Sequence, residues 1–346
     1  FLRSCGCWPG SLSSARCIGE ALFGASETLG SKGFGSRLRF RIAAPEPAGR
    51  RGGSVDCGLL ENLSTYRFAR GRAAPGGLLI PCQKGPATPK WGTMQPNAKP
   101  EVRVLDSAEN AVPVLLDELR NVIAAESRPL VSFATGVTFT AFFRSLDVEL
   151  KSGGIDVGSW VGTHLDEYIA FEPNRRGGMV HELTLRCPAL REMLARGSFL
   201  PVPCHGAAGS LRAHEERMKR AGGVKLQFLG IGRNGHVAFN EPGALIDSGF
   251  HVTTLAESTR RDAAPTFVPD EPPRRAVTAG LQSILGAERI VLCAFGSDKA
   301  DAVRAMLHGE SSERCPASAL RDHPNALVLL DPAAASSLDA PASAAS

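Results

Sequence analysis

The sequence predicts an α/β protein with a doubly wound, mostly parallel sheet and helices on both faces. Three observations lead there. Short stretches that are apolar throughout, such as RIVLCAF (289–295) and ALVLL (326–330), alternate with segments whose apolar residues fall at helical spacing. Strands of that kind have no solvent-facing side and need cover on both faces, which the crossover helices of a parallel sheet supply. Each chemically suggestive stretch also stands where such a strand runs out, the place at which open α/β sheets build their sites.

Taken in order, Val112, Leu115, Leu116, Leu119, Val122 and Ile123 mark one face of a first helix, and Pro113 suits its first turn. Leu130 to Ala134 read as a buried strand running into a glycine turn, and FTAFFRSLDVEL (139–150) as a second amphipathic helix. SWVGTHLDEY (159–168) contains the next strand. A charged helix around Leu211 to Arg220 leads into the strand VKLQFLGIG (224–232). After the strand at 289–295, Ala300, Val303, Met306 and Leu307 line one helical face, and the strand at 326–330 closes the series.

The chain has 346 residues, 43% hydrophobic and 21% charged, enough to bury a full core. No apolar run reaches the roughly 18 residues of a membrane span, so no membrane partner is expected. Residues 1–93 hold 13 of the 39 Lys and Arg but 5 of the 35 Asp and Glu. The remainder is therefore net acidic, which removes the basic footprint that nucleic-acid binding requires.

That first segment has Gly, Ser, Arg and Pro clusters and no sustained period; Met94 is the first methionine, and all eight histidines follow it. A transit peptide, a disordered extension and translation from upstream of the true start all fit. The Cys, Gly and Pro near the beginning argue against the amphipathic basic helix of a transit peptide. The expectation is a disordered or non-native extension over 1–93, a working domain over 94–331, and a flexible Ala/Ser-rich tail over 332–346. Cys187, Cys204, Cys293 and Cys315 lack C-x-x-C spacing and read as reduced, structural cysteines of a cytoplasmic protein.

Four stretches carry chemistry. In FATGVTFTAFF (133–143), backbone N–H groups at a helix start, with Thr135 and Thr138 as further donors, would suit an anion. Read alone, it is also an ordinary turn between strand and helix. THLDEY (163–168) puts two carboxylates past a strand. Neighbouring side chains point opposite ways, so one of Asp166 and Glu167 at most faces a given substrate atom, as a general base or as a solvated loop acid. LGIGRNGHVAFNEPG (229–243) surrounds His236 with Asn234, Asn240, Glu241 and four glycines. A carboxylate and an amide there would set the tautomer of a proton-shuttling imidazole. One histidine and two neutral amides are a poor zinc set, so no metal and no cofactor is expected. In GSDKADAV (296–303), Lys299 could meet a phosphate at a helix start or be a plain surface lysine.

These stretches, with CPASALRDHPNALVLLD (315–331), resemble the glucosamine-6-phosphate deaminase family, also called glucosamine-6-phosphate isomerases, from about Leu105 to Asp331 in the same order. The element G-x-N/D-G-H-x-x-F-N-E-P is specific. The wider superfamily includes 6-phosphogluconolactonases, which share a similar turn but continue differently where this chain reads AFNEPG. The resemblance implies a Rossmann-like fold, and Asp166 as the base moving a proton between C2 and C1 of an open-chain sugar. It implies His236 assisting ring opening, held by Asn234 and Glu241. The turn Thr135, Gly136, Val137 and Thr138, together with Lys299, would hold the 6-phosphate. The implied reaction converts glucosamine 6-phosphate and water to fructose 6-phosphate and ammonia. Its rivals are a galactosamine-6-phosphate deaminase, a lactone hydrolase led by His236, and a sugar-phosphate-binding regulator. A small sugar phosphate is the expected partner, with a homo-oligomer allowed.

Two departures stand out. Val137 and Phe139 replace the small residue and the proline common in the family's phosphate turn. Pro265 stands where the family usually places a phosphate-clasping arginine, and Arg260 and Arg261 are out of register with it. His251 and Thr253 occupy places where some members carry the basic residues of an allosteric site, so no activation by N-acetylglucosamine 6-phosphate is expected.

Overall fold

The computed structural model describes residues 99–338. A seven-stranded sheet runs through them, built from β1 (Glu101–Val104), β2 (Leu130–Phe133), β3 (Val161–His164), β5 (Phe199–Leu200), β6 (Val224–Gly230), β9 (Arg289–Ala294) and β10 (Ala326–Leu330). Its order is β1-β10-β9-β6-β2-β3-β5, and every pairing is parallel. From β2 the chain winds outward through β3 to β5; from β6 it winds the other way through β9 to β10. The direction reverses between β2 and β6, which opens a crevice beyond their carboxyl ends.

Both faces of this sheet are apolar because alternate residues of one strand enter different cores. In β10, Ala326, Val328 and Leu330 pack on one side while Leu327 and Leu329 pack on the other. The second side is covered by α1 (Ala111–Ala125), α2 (Thr140–Ser152), α3 (Met179–Arg186) and α4 (Leu190–Ala195). There Phe133 stacks on Phe228 with ring centroids 5.7 Å apart and meets Trp160 edge-on at 5.7 Å. Phe142 and Phe143 of α2 meet the same Phe133 ring at 6.3 and 5.7 Å, and these contacts fix the seating of α2 beyond what area burial alone gives. The first side is covered by α5 (Ala208–Arg220), α7 (Leu281–Leu285), α8 (Ala300–His308) and the 3-10 segment Pro316–Asp322.

A second, antiparallel sheet of β4 (Asp166–Tyr168), β7 (His251–Thr254) and β8 (Arg275–Thr278) is an addition to the expected architecture. It packs with α6 (Glu257–Phe267) around Tyr168, Phe171, Phe239 and Phe267. The predicted strands and helices fall where expected, with ends moved by a few residues; a 3-10 turn at Val137–Phe139 leads into α2. Pro332–Ala335, assigned to a flexible tail, form a short helix, α9, because Asp331 caps it by accepting from the Ala334 amide and Ala334 is fully buried. The expected extension over 1–93 lies outside the described residues, as does the tail beyond Leu338.

Candidate active site

The glycine turn after β6 places His236. Gly235 adopts φ +81°, a left-handed conformation natural to glycine, and a Cβ there would press within 2.6 Å of the Cys315 sulfur. A Cβ on Gly232 would collide with the imidazole itself. The spacing of glycines in the sequence therefore reflects how closely this ring lies against its own turn.

Three side chains then form a chain of bonds. The Asn234 amide nitrogen donates to Glu241 Oε2 over 2.8 Å, and its oxygen lies 2.7 Å from His236 Nδ1. A carboxylate only accepts, so the amide must turn its nitrogen to Glu241 and its oxygen to the ring. That leaves Nδ1 to carry the imidazole proton and Nε2 as the free acceptor. Glu241 is anchored in turn by the Thr259 hydroxyl at 2.5 Å and the Ala256 amide at 3.3 Å, both at the start of α6. Burial pushes the His236 pKa down, Glu241 opposes that shift, and Lys299 adds to it. At neutral pH the ring is the uncharged base.

Asp166 opens β4 and is 6% exposed. Its carboxylate accepts no hydrogen bond from the described residues, and burial first, then the neighbouring Glu167, push its pKa up to about 8. Glu167 points the other way, as its place in a strand requires. Its carboxylate accepts from the amides of Tyr168 and Met179 at 2.9 Å and of Val180 at 3.1 Å, so it caps the start of α3. Of the two adjacent acids, Asp166 is the one left unbound. Asp166 pairs across the small sheet with Thr278, whose hydroxyl accepts from the Phe239 amide at 3.1 Å. Thr278 thus couples the strand of the acid to the turn of the histidine. Asn240, grouped with the reactive residues by sequence, is a staple: it is buried and donates to the Val237 and Ala279 carbonyls.

The turn after β2 sits across the crevice. Thr135 is buried with its hydroxyl 2.8 Å from the Met179 sulfur, Gly136 is exposed, Val137 is 80% exposed and Thr138 is half-buried. Arg186, which no sequence signal marked, ends α3 with its guanidinium on the Thr135 carbonyl and on Glu182 at 3.1 Å. Lys299 follows β9 and reaches Asp298 Oδ2 at 3.6 Å. Arg233 Nε reaches the same oxygen at 3.1 Å, and its other end meets Asp262 at 3.3 Å. Two cations therefore converge on one carboxylate oxygen beside His236. Arg260 faces Pro272 and Glu271 instead, and Arg261 pairs with Glu257.

This fold and crevice define a Rossmann-like α/β protein with its polar groups gathered at the strand ends. Residues 105–329 match the family described as glucosamine-6-phosphate isomerases/6-phosphogluconolactonase, and the chain belongs to that family. It is 35% identical over 247 residues to the glucosamine-6-phosphate deaminase of Beutenbergia cavernae, covering 69% of this chain and 92% of that protein. To the Hahella chejuensis glucosamine-6-phosphate deaminase it is 35% identical over 245 residues, with the same coverage. Among solved structures, a monomeric glucosamine-6-phosphate deaminase superposes with a TM-score of 0.63 at 30% identity, over 68% of this chain and 99% of that one. The 6-phosphogluconolactonase of Leishmania guyanensis superposes at 0.56 with 17% identity, over 70% of this chain and 99% of that one, a likeness of fold alone.

Proposed function

We propose that this protein converts glucosamine 6-phosphate and water to fructose 6-phosphate and ammonia. The observation that carries the reading is Asp166: a buried carboxyl with no hydrogen bond, pushed up to about 8 and coupled through Thr278 to the turn of His236. A base of that strength removes a carbon-bound proton next to a carbonyl or imine far better than an ordinary carboxylate does.

In the proposed sequence, His236 Nε2 takes the proton of the anomeric hydroxyl and returns it to the ring oxygen, opening the sugar to its aldehyde. Asp166 removes the proton at C2 while the C2 ammonium passes a proton to O1, giving an enolamine, and the proton on Asp166 then returns to C1, giving an iminium at C2. Water adds to that carbon, ammonia leaves, and the ketone of fructose 6-phosphate remains. Lys299 and Arg233 take the 6-phosphate in place of Asp298, with the backbone of the turn from Thr135 through Gly136 and Val137 to Thr138 as the opposite wall. Arg233 fills the role left open by Pro265, from a different element. A dianionic phosphate outcompetes a single carboxylate for a guanidinium and an ammonium held this close.

The protein acts in the cytoplasm in this reading, since its substrate is a phosphate ester that does not cross membranes unaided. No helix among the described residues is long and apolar enough to cross one. Assembly into a homo-oligomer belongs to the same proposal and is measured by light scattering. The test of the chemistry uses glucosamine 6-phosphate deuterated at C2. Deuterium recovered at C1 of the product, or a primary isotope effect with washout to solvent, supports the proposal; substrate consumed without an isotope effect to a sugar that still carries its deuterium at C2, with no fructose 6-phosphate formed, contradicts it.

A further inference from the structure

We propose that Glu172, Cys204 and His205 form a binding site for a soft divalent cation of the zinc type, apart from the sugar-phosphate crevice. Their ligand atoms lie within 4.8 Å of one another. Glu172 Oε1 is 3.2 Å from His205 Nε2, Cys204 Sγ is 3.6 Å from Glu172 Oε1, and Cys204 Sγ is 4.0 Å from His205 Nε2. A tetrahedral zinc ion with bond lengths of about 2.3 Å to sulfur and 2.0–2.1 Å to nitrogen and oxygen spaces these ligands about 3.3–3.6 Å apart. Two of the three separations already match, and the third closes by rotation of an exposed imidazole.

Both the thiol and the carboxylate approach the same ring nitrogen, Nε2. A Cys-His-Glu proton relay needs them on opposite nitrogens, so the arrangement suits a shared cation. Without an ion, Glu172 pairs with His205 and accepts from the Cys204 thiol, so one carboxylate oxygen holds both partners that a cation would bridge. With the thiol proton released to solvent, thiolate and carboxylate balance the two charges of the ion. The fourth position faces a cavity of about 160 Å³, open to water.

The loops that bear these ligands are held before any ion arrives. The Ala170 amide donates to the Cys204 carbonyl at 2.9 Å, tying the loop after β4 to the loop after β5. Arg175 donates to the Ala170 carbonyl at 3.2 Å and lies over the Phe171 ring at 4.1 Å. Pro201 and Pro203 stiffen the other loop, and Gly206 turns it at φ +65° against Val252. Preorganisation of this kind reduces what binding must order. Glu167 lines the same cavity, so an ion there would stiffen the segment that carries Asp166.

The test is a cobalt(II) titration of the metal-stripped full-length protein, followed by thiolate-to-cobalt charge transfer in the near ultraviolet. Expected are a one-to-one band from this site, its loss in Cys204→Ser, and at least about tenfold weaker binding in His205→Gln and Glu172→Gln. Zinc should also slow alkylation of Cys204, located by peptide mass, and raise Tm in the parent but not in His205→Gln. No band, a band that survives Cys204→Ser, or alkylation of Cys204 that zinc leaves unchanged would each overturn the proposal. His205→Gln alters an exposed side chain and keeps the test decisive even where the cysteine variant folds poorly. None of these readouts depends on turnover.

Discussion

The amide of Asn234 donates to Glu241 at one end and faces the ring nitrogen of His236 at the other, at 2.8 and 2.7 Å. A neutral side chain thereby passes the polarity of a carboxylate to an imidazole without passing a proton. Glu241→Gln removes the acceptor that sets this order, lets the Asn234 amide reverse, and frees the ring to take the other tautomer. The expected result is a fall in kcat of about 10²-fold or more with the fold intact. A Glu241→Gln protein with parental kcat would remove the relay from the mechanism.

Asp166→Asn should lower kcat by about 10³-fold or more, the scale lost with a general base. In the parent, kcat/KM should climb with pH until Asp166 ionises, near the value of about 8 to which burial and Glu167 push it. A limb centred near the ordinary carboxylate value of 3.8 would contradict this.

The same group makes a stability prediction. Its native pKa is raised, so between 3.8 and about 8 the folded state holds a proton that the unfolded chain has released. The contribution is complete below the lower value and is lost as pH rises through the upper one. Asp166→Asn cannot ionise, so it should melt above the parent by a margin that widens from pH 4 to pH 8. Equal Tm differences across that range would show that Asp166 is not the buried acid described.

Glu167→Gln separates the adjacent acids. An amide cannot accept from three N–H groups as the carboxylate does, so the start of α3 should lose about 1–3 kcal/mol. The expectation is a lowered Tm with much of kcat retained, the reverse of Asp166→Asn.

Arg233→Gln and Lys299→Gln should each raise KM for the sugar phosphate about tenfold or more, with kcat changed far less, because a charged hydrogen bond is worth about 1.5–3 kcal/mol. Arg233→Lys should restore part of the loss. Unchanged KM in Arg233→Gln would return the question opened by Pro265 to other residues.

Much of this was legible in the sequence for physical reasons. The central strands of the main sheet are buried on both faces, so Val291, Leu292 and Cys293 leave no polar gap to misread. His236, Asn234 and Glu241 lie within one short turn, where sequence distance and spatial distance agree. What was hidden depends on long-range pairing. Arg233 reaches Asp262 and Asp298 from different elements, and no local pattern announces it. Glu167 caps a helix that begins twelve residues later. The small antiparallel sheet was missed because β4, β7 and β8 are three or four residues long and β7 is only half-buried. Asn240 was misgrouped because a buried staple and a reactive amide look alike in a sequence.

The most direct test of the central claim adds glucosamine 6-phosphate to the purified protein and follows ammonia and fructose 6-phosphate together. The account predicts equimolar release of both by the parent and none by Asp166→Asn. Tight binding of the sugar phosphate with neither product, or turnover that survives Asp166→Asn, would contradict it.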